Sequence, residues 1–217
     1  KEMMKTTLLS SFANQGQICL CGSRIYIERS IYNKFKEEFV ERVSNMLVAH
    51  PDNPKAKMGA VVSLPHMENV LSRIELAKEE GGTILTGGER VIMDAPNENG
   101  YYIRPTVIEG LSHDCRTNQE EIFGPVVTIT PFDNEEEVLM MANSTEYGLS
   151  ATLWTSDIKR AHRVANKIDA GIVWINAWLV RDLRTPFGGT KSSGVGREGG
   201  LEALRFFTEP KNVFVKY

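Results

Sequence analysis

The 217-residue sequence has no uninterrupted apolar run near the roughly 18 to 20 residues needed to cross a bilayer as a helix. Its start, Lys1-Glu2-Met3-Met4-Lys5, lacks the basic, apolar and small-residue zones of a signal peptide, so a cytoplasmic protein without a membrane partner is expected. Cysteine is scarce as well. Cys19, Cys21 and Cys115 are too few and too odd in number for a disulfide framework, which fits a reducing compartment and makes a reactive thiol worth seeking. Positive charge is not in excess: 25 Lys and Arg stand against 28 Asp and Glu, leaving a net charge of -3 and no basic stripe for nucleic acid. There is no internal repeat or low-complexity linker, and no metal site is expected.

What is present is enough apolar side chain, 41%, to bury a sizeable core. Ile31, Phe35, Phe39 and Val43 recur every four residues within Ser30 to Leu47, which predicts a helix with one buried stripe. Met67, Val70, Leu71, Ile74 and Ala77 predict a second helix, stopped at Gly81-Gly82. Asp133, with Glu136 three residues on, reads as a capping box opening a third, and Ile158, Ala161, Ala165 and Ile168 mark a fourth. Between them lie short strand-like runs at Arg24 to Ile27, Thr83 to Leu85, Val126 to Ile129, Ala151 to Thr155 and Gly171 to Ile175. Such alternation predicts an α/β fold with a mostly parallel sheet flanked by helices and a ligand crevice at the carboxyl ends of the strands. A short helix, Leu201 to Phe207, then precedes Val213-Phe214-Val215, an apolar C-terminal strand that either pairs with another chain or edges its own domain.

The segment Phe12-Ala13-Asn14-Gln15-Gly16-Gln17-Ile18-Cys19 places a glycine and two amides just before a cysteine, in a turn between a helix and a strand. Such a turn exposes a thiol and can aim the cysteine N–H at an oxyanion, although a cysteine taken alone is more often a small buried hydrophobe. About a hundred residues later comes Glu120-Glu121-Ile122-Phe123-Gly124-Pro125-Val126. A carboxylate at Glu121 can accept hydrogen bonds from both hydroxyls of a ribose, and Phe123 can pack on a flat ring; a solvated acid is the plainer alternative. Gly194-Val195-Gly196-Arg197-Glu198-Gly199 spells G-x-G-x-x-G, but Pro186 to Ser193 before it has no strand character, so it is not a dinucleotide fingerprint.

Three strings in order, F-x-N-x-G-Q-x-C, E-E-I-F-G-P-V and P-F-G-G-x-K-x-S-G-x-G-R-E, resemble the signatures of the aldehyde dehydrogenase superfamily. The resemblance implies that Cys19 is the nucleophile, that Glu121 holds the nicotinamide ribose of NAD (or NADP), and that Phe123 lies beside the nicotinamide. It implies a proton-relay role for Glu198, a pair between Arg197 and Glu209 that ties the domain to its oligomerisation strand, and a homo-oligomer. Cys21 falls outside the nucleophile position and is expected to be structural.

By the same resemblance, residues 1–200 form the catalytic domain and residues 201–217 a helix and oligomerisation strand. It covers only the C-terminal half of a family chain. The N-terminal NAD-binding domain, the general base and the oxyanion amide are absent from these residues, so the cofactor site is incomplete and the chain alone is expected to be inactive.

The substrate loop, Asn176 to Thr185, carries two arginines suited to a carboxylate. The string W-x-x-R-D-L-R-T-P-F-G-G resembles the branch that oxidises 2-aminomuconic and 2-hydroxymuconic semialdehydes. Arg181 is the first choice for a carboxylate anchor, with Asp182 able to pair with either arginine. Arg184 serves substrate or structure, and Trp178 serves as a flat wall or as core. Three other readings stay open: an enzyme for a different aldehyde, a truncated non-catalytic module that keeps the fold, and a thiol hydrolase that needs no nicotinamide.

Overall fold

Phe35, Phe39 and Val43 are buried along one side of helix α2 (Arg29–Ser44), with the Phe35 and Phe39 rings stacked at 5.3 Å. That stripe is the organising contact of the first core, which also takes Met4 and Phe12 from α1 (Glu2–Phe12) and Ile27 from β1 (Arg24–Glu28). The structure is a computed structural model that describes residues 2–217. After α2 come α3 (Leu64–Glu79), β2 (Thr83–Thr86), β3 (Arg90–Val91), β4 (Tyr102–Ile103) and β5 (Thr106–Glu109). The chain continues through α4 (Arg116–Gln119), β6 (Val126–Phe132), α5 (Glu135–Asn143), β7 (Tyr147–Gly148) and β8 (Ser150–Leu153). It ends with α6 (Ile158–Ala165), β9 (Ile172–Ile175), β10 (Thr190–Lys191) and α7 (Gly200–Phe206).

The main sheet has the order β1-β6-β5-β2, with β1, β6 and β5 parallel and β2 antiparallel at one edge. Val126, Val127, Thr128 and Ile129 of β6 are all buried, the continuous apolar run of a strand covered on both faces. One face rests on the α2 core. The other rests on α3, whose Met67, Val70, Ile74 and Ala77 pack with Ile103, Ile108 and Ile122. Separately, β8 and β9 form a parallel pair joined through α6. The α/β class and the mostly parallel sheet therefore stand as expected.

Three expectations need correction. The third helix is capped by Asn134, whose side chain accepts the Glu137 N–H at 3.0 Å, not by Asp133. Asp133 is unavailable because its carboxylate pairs with Arg29 at the start of α2 (Nη2–Oδ2 2.9 Å). Arg197 does not pair with Glu209; its guanidinium donates to the carbonyls of Gly189 (2.8 Å) and Gly196 (2.7 Å), while Glu209 is exposed. Finally, Val213-Phe214-Val215 forms no strand, and Phe214 is 87% exposed. A strand exists only through hydrogen bonds to a neighbour, and the described residues offer that segment none.

Candidate active site

The loop that carries Cys19 is held in a conformation its sequence selects. Asn14 (φ 49°), Gln15 (φ 58°) and Gly16 (φ 71°) are successive left-handed residues, a conformation that glycine and asparagine tolerate best. Gln15 needs outside support. Its amide oxygen accepts the Gly59 N–H and its nitrogen donates to Asn14 O, both at 3.0 Å. Gln17 Oε1 accepts the Val62 N–H at 3.1 Å, so Gln15 and Gln17 both bind the segment before α3. The turn then leads to Cys19, which is exposed, and closes through the Cys21 N–H on Ile18 O (2.8 Å).

Gly16 also explains how two motifs a hundred residues apart become neighbours. A Cβ built on Gly16 would lie 2.1 Å from Gly124 O, so the cysteine loop and the Glu120–Val126 loop touch backbone to backbone. That second loop holds Phe123 in a left-handed conformation (φ 54°), which for a bulky aromatic is strained by about 1–2 kcal/mol. His66, at the start of α3, binds Phe123 O through Nε2 at 2.8 Å and meets its ring edge-on. Sequence reasoning missed His66, because nothing in a lone histidine on a helix N-terminus signals a contact with a residue 57 positions away.

The tandem acids of this loop are not equivalent. Glu120 is taken by Arg73 and by Arg116 (2.6 Å), and the Arg116 guanidinium, with Arg73 behind it, holds the Glu120 carboxyl below the usual carboxylate range. Glu121 enters no hydrogen bond among the described residues and is exposed. Its two oxygens are therefore the ones free for a ligand. Glu121, Cys19 and Trp178 line one cavity of about 800 Å³. Trp178 is fixed there by its indole N–H, which donates to Leu20 O at 2.9 Å, tying the Asn176–Thr185 loop to the residue after Cys19.

The remaining expected site residues lie apart from this mouth. Arg181 stacks on the Phe187 ring at 4.0 Å and donates weakly to Glu198 (3.4 Å), so those two residues hold one another. Arg184 is paired with Asp182 in its own loop, its side chain 89% exposed. Cys21 differs from Cys19 in being half-buried against Ala13 O, and burial pushes its thiol up to about 11. At neutral pH it is protonated and inert, as its structural assignment requires.

An α/β fold thus presents an exposed thiol and a carboxylate free of hydrogen bonds among the described residues on one cavity. The chain belongs to the aldehyde dehydrogenase family, whose profile matches residues 1–213. It is 49% identical over its whole length to 2-aminomuconic semialdehyde dehydrogenase of Mus musculus and covers 45% of that protein. It is 48% identical over 97% of its length to 2-hydroxymuconic semialdehyde dehydrogenase of Pseudomonas sp. strain CF600, covering 43% of it. Among solved structures, an aldehyde dehydrogenase of Bacillus cereus in complex with NAD+ superposes with a TM-score of 0.93 at 41% identity, over 99% of this chain and 43% of that one. The chain thus spans less than half the length of the relatives it matches.

Proposed function

We propose that this chain supplies the nucleophile half of an NAD(P)-dependent aldehyde oxidation, with a carboxylated semialdehyde of muconate type as substrate. The observation that carries this is the convergence of exposed Cys19, unpaired Glu121 and anchored Trp178 on one cavity. The Cys19 thiolate attacks the aldehyde carbon, making a C–S bond while the carbonyl oxygen takes the electron pair as an oxyanion beside the Cys19 N–H. A nicotinamide cofactor, held by Glu121 and Phe123, would supply the hydride acceptor that this carbon needs to reach the thioester level. Water then attacks that carbon, the C–S bond breaks, and Cys19 leaves as thiolate with release of the acid.

The residues present suit the nicotinamide end of such a cofactor. Glu121 offers two free acceptor oxygens to ribose hydroxyls, and the Phe123 ring is 38% exposed for a flat partner. Trp178 gives a flat wall to a conjugated substrate, Glu198 serves the proton relay, and Arg181, released from Glu198, receives the substrate carboxylate, with Arg184 as a weaker second anchor. Cytoplasmic residence is part of the same proposal, and no described helix is long and apolar enough to cross a membrane. The exposed Val213–Val215 segment suits strand pairing in a homo-oligomer.

On the reading that the family's general base and oxyanion amide lie outside these 217 residues, the purified chain is expected to produce no NADH from aldehyde above background. Turnover by this chain alone would overturn that half-site assignment. Substrate choice has its own test in a polypeptide of the relatives' length. Arg181→Ala should raise KM for a carboxylated semialdehyde by about tenfold to a hundredfold, the loss of one charge-assisted pair, and barely change it for a neutral aldehyde. Equal effects on both would remove Arg181 as the anchor.

A further inference from the structure

Glu121 sits in a stretch without regular structure, between the end of α4 at Gln119 and the start of β6 at Val126. Its carboxylate makes no hydrogen bond among the described residues, so nothing on its own side chain fixes where the two oxygens lie. A carboxylate that meets two ribose hydroxyls at once needs that position set from outside. One helix sets it. Val70, Ile74 and Ala77 are fully buried and seat α3 in the second core. From α3 three side chains reach the stretch on both sides of Glu121. His66 in its first turn binds Phe123 O, Arg73 in its middle binds the Glu120 carboxylate, and Glu80 at its C-cap holds the start of α4. Gly124 rests on the same helix, where a Cβ would meet Val70 Cγ2 at 2.6 Å.

Glu80 supplies what the sequence of α4 lacks. That helix is four residues long, and its N-cap position holds Cys115, whose side chain makes no cap. The Glu80 carboxylate takes the place from 36 residues away. Its Oε1 accepts the Arg116 N–H at 2.9 Å, and its Oε2 accepts the Thr117 N–H at 3.1 Å and the Thr117 hydroxyl at 2.6 Å. Burial opposes the Glu80 charge, but the Thr117 hydroxyl and the two backbone donors outweigh it and hold the carboxyl below the usual carboxylate range. Arg116, fixed in this way, turns its guanidinium onto Glu120 (Nε–Oε1 2.6 Å). Glu80 therefore bears on Glu121 at one remove, through α4 and Glu120.

We propose that Glu80 is a positioning residue for the cofactor: by fixing α4 to α3 it sets Glu120, and hence places the Glu121 carboxylate where both oxygens meet the nicotinamide ribose. This rests on the reading of Glu121 as the ribose acceptor. Arg73 completes the arrangement, because it holds Glu120 on α3 and leaves one of the tandem acids to face the cofactor. The cysteine loop is held separately, by Gln15 and Gln17 on the segment before α3, so a change at Glu80 disturbs the cofactor side of the site and spares the nucleophile.

Calorimetric titration with NAD tests it, in a polypeptide of the relatives' length that carries Cys19→Ser. Glu121→Ala and Glu80→Ala should each raise the Kd for NAD by about fivefold to tenfold, the loss of hydrogen bonds to a charged group, and Thr117→Val, which removes one of the three donors, by about twofold to threefold. Combined with Glu121→Ala, neither Glu80→Ala nor Thr117→Val should weaken NAD further, because a residue that acts only through Glu121 has nothing left to place. Asn118, bonded to Thr128 of β6 at 2.7 Å, keeps α4 docked when Glu80 is changed; should Glu80→Ala still fail to fold, Thr117→Val carries the same cycle. With Cys19 restored, the KM for NAD should rise in step with the Kd while the KM for aldehyde stays put. Additive losses in the double variants, or an unchanged Kd at Glu80 and Thr117 while Glu121→Ala is impaired, would overturn the positioning role alone. An unchanged Kd in Glu121→Ala would remove the ribose assignment, and the positioning role with it.

Discussion

Exchanging Cys19 for serine is expected to lower kcat for aldehyde oxidation by about 10⁴-fold in a polypeptide of the relatives' length, with the fold unchanged. A serine hydroxyl at this position lacks both the thiolate charge and the leaving-group ability that the thioester step needs. Because Cys19 is exposed and makes no side-chain hydrogen bond among the described residues, its loss removes no packing, so the effect should fall on kcat and spare the melting temperature. Cys21→Ser is the matched control. Its half-buried thiol, pushed up to about 11 by burial, holds no charge at the working pH, so the change should cost some stability and little activity. Steady-state rates and thermal melts of the two variants separate the roles; equal losses of kcat would make the cysteines interchangeable and remove the assignment.

Gly16→Ala should be the most damaging single methyl group in the site. The added Cβ would meet Gly124 O at 2.1 Å, and alanine adopts φ +71° only with strain. Both loops are anchored elsewhere, the first by Gln15 and Gln17 and the second by His66, so neither can retreat freely. A destabilisation of about 2–4 kcal/mol is expected, a fall in Tm of roughly 5–15 °C for a domain of this size. A melting temperature within about a degree of the parent would show that the two loops do not depend on this contact.

Much of this arrangement was legible in the sequence, and the reasons differ element by element. The stripe of Phe35, Phe39 and Val43 and the continuous run from Val126 are patterns of local period, so both elements appear where periodicity puts them. Strand β5, in the middle of the sheet, escaped because four residues after Pro105 are too short to show a period, and only pairing on both sides makes them a strand. The helix cap moved from Asp133 to Asn134 because a long-range partner, Arg29, claimed the first carboxylate. Cys19, Glu121 and Trp178 were each visible as candidates. Their meeting was not, since it depends on Gly16 lying against Gly124 and on the indole of Trp178 reaching Leu20, contacts that local spacing cannot encode. The same holds for the contact between Glu198 and Arg181, so the arginine proposed as carboxylate anchor is a paired cation.

The assignment of Cys19 as nucleophile is tested most directly by trapping its acyl intermediate. A polypeptide of the relatives' length is mixed with aldehyde and NAD, quenched in acid within a turnover, and digested with trypsin. Cleavage after Lys5 and Arg24 leaves Cys19 and Cys21 on one peptide, so fragmentation must decide between them. The acyl mass is expected on Cys19 and should vanish in Cys19→Ser; an acyl group on Cys21, or full turnover with Cys19 replaced, would contradict the account.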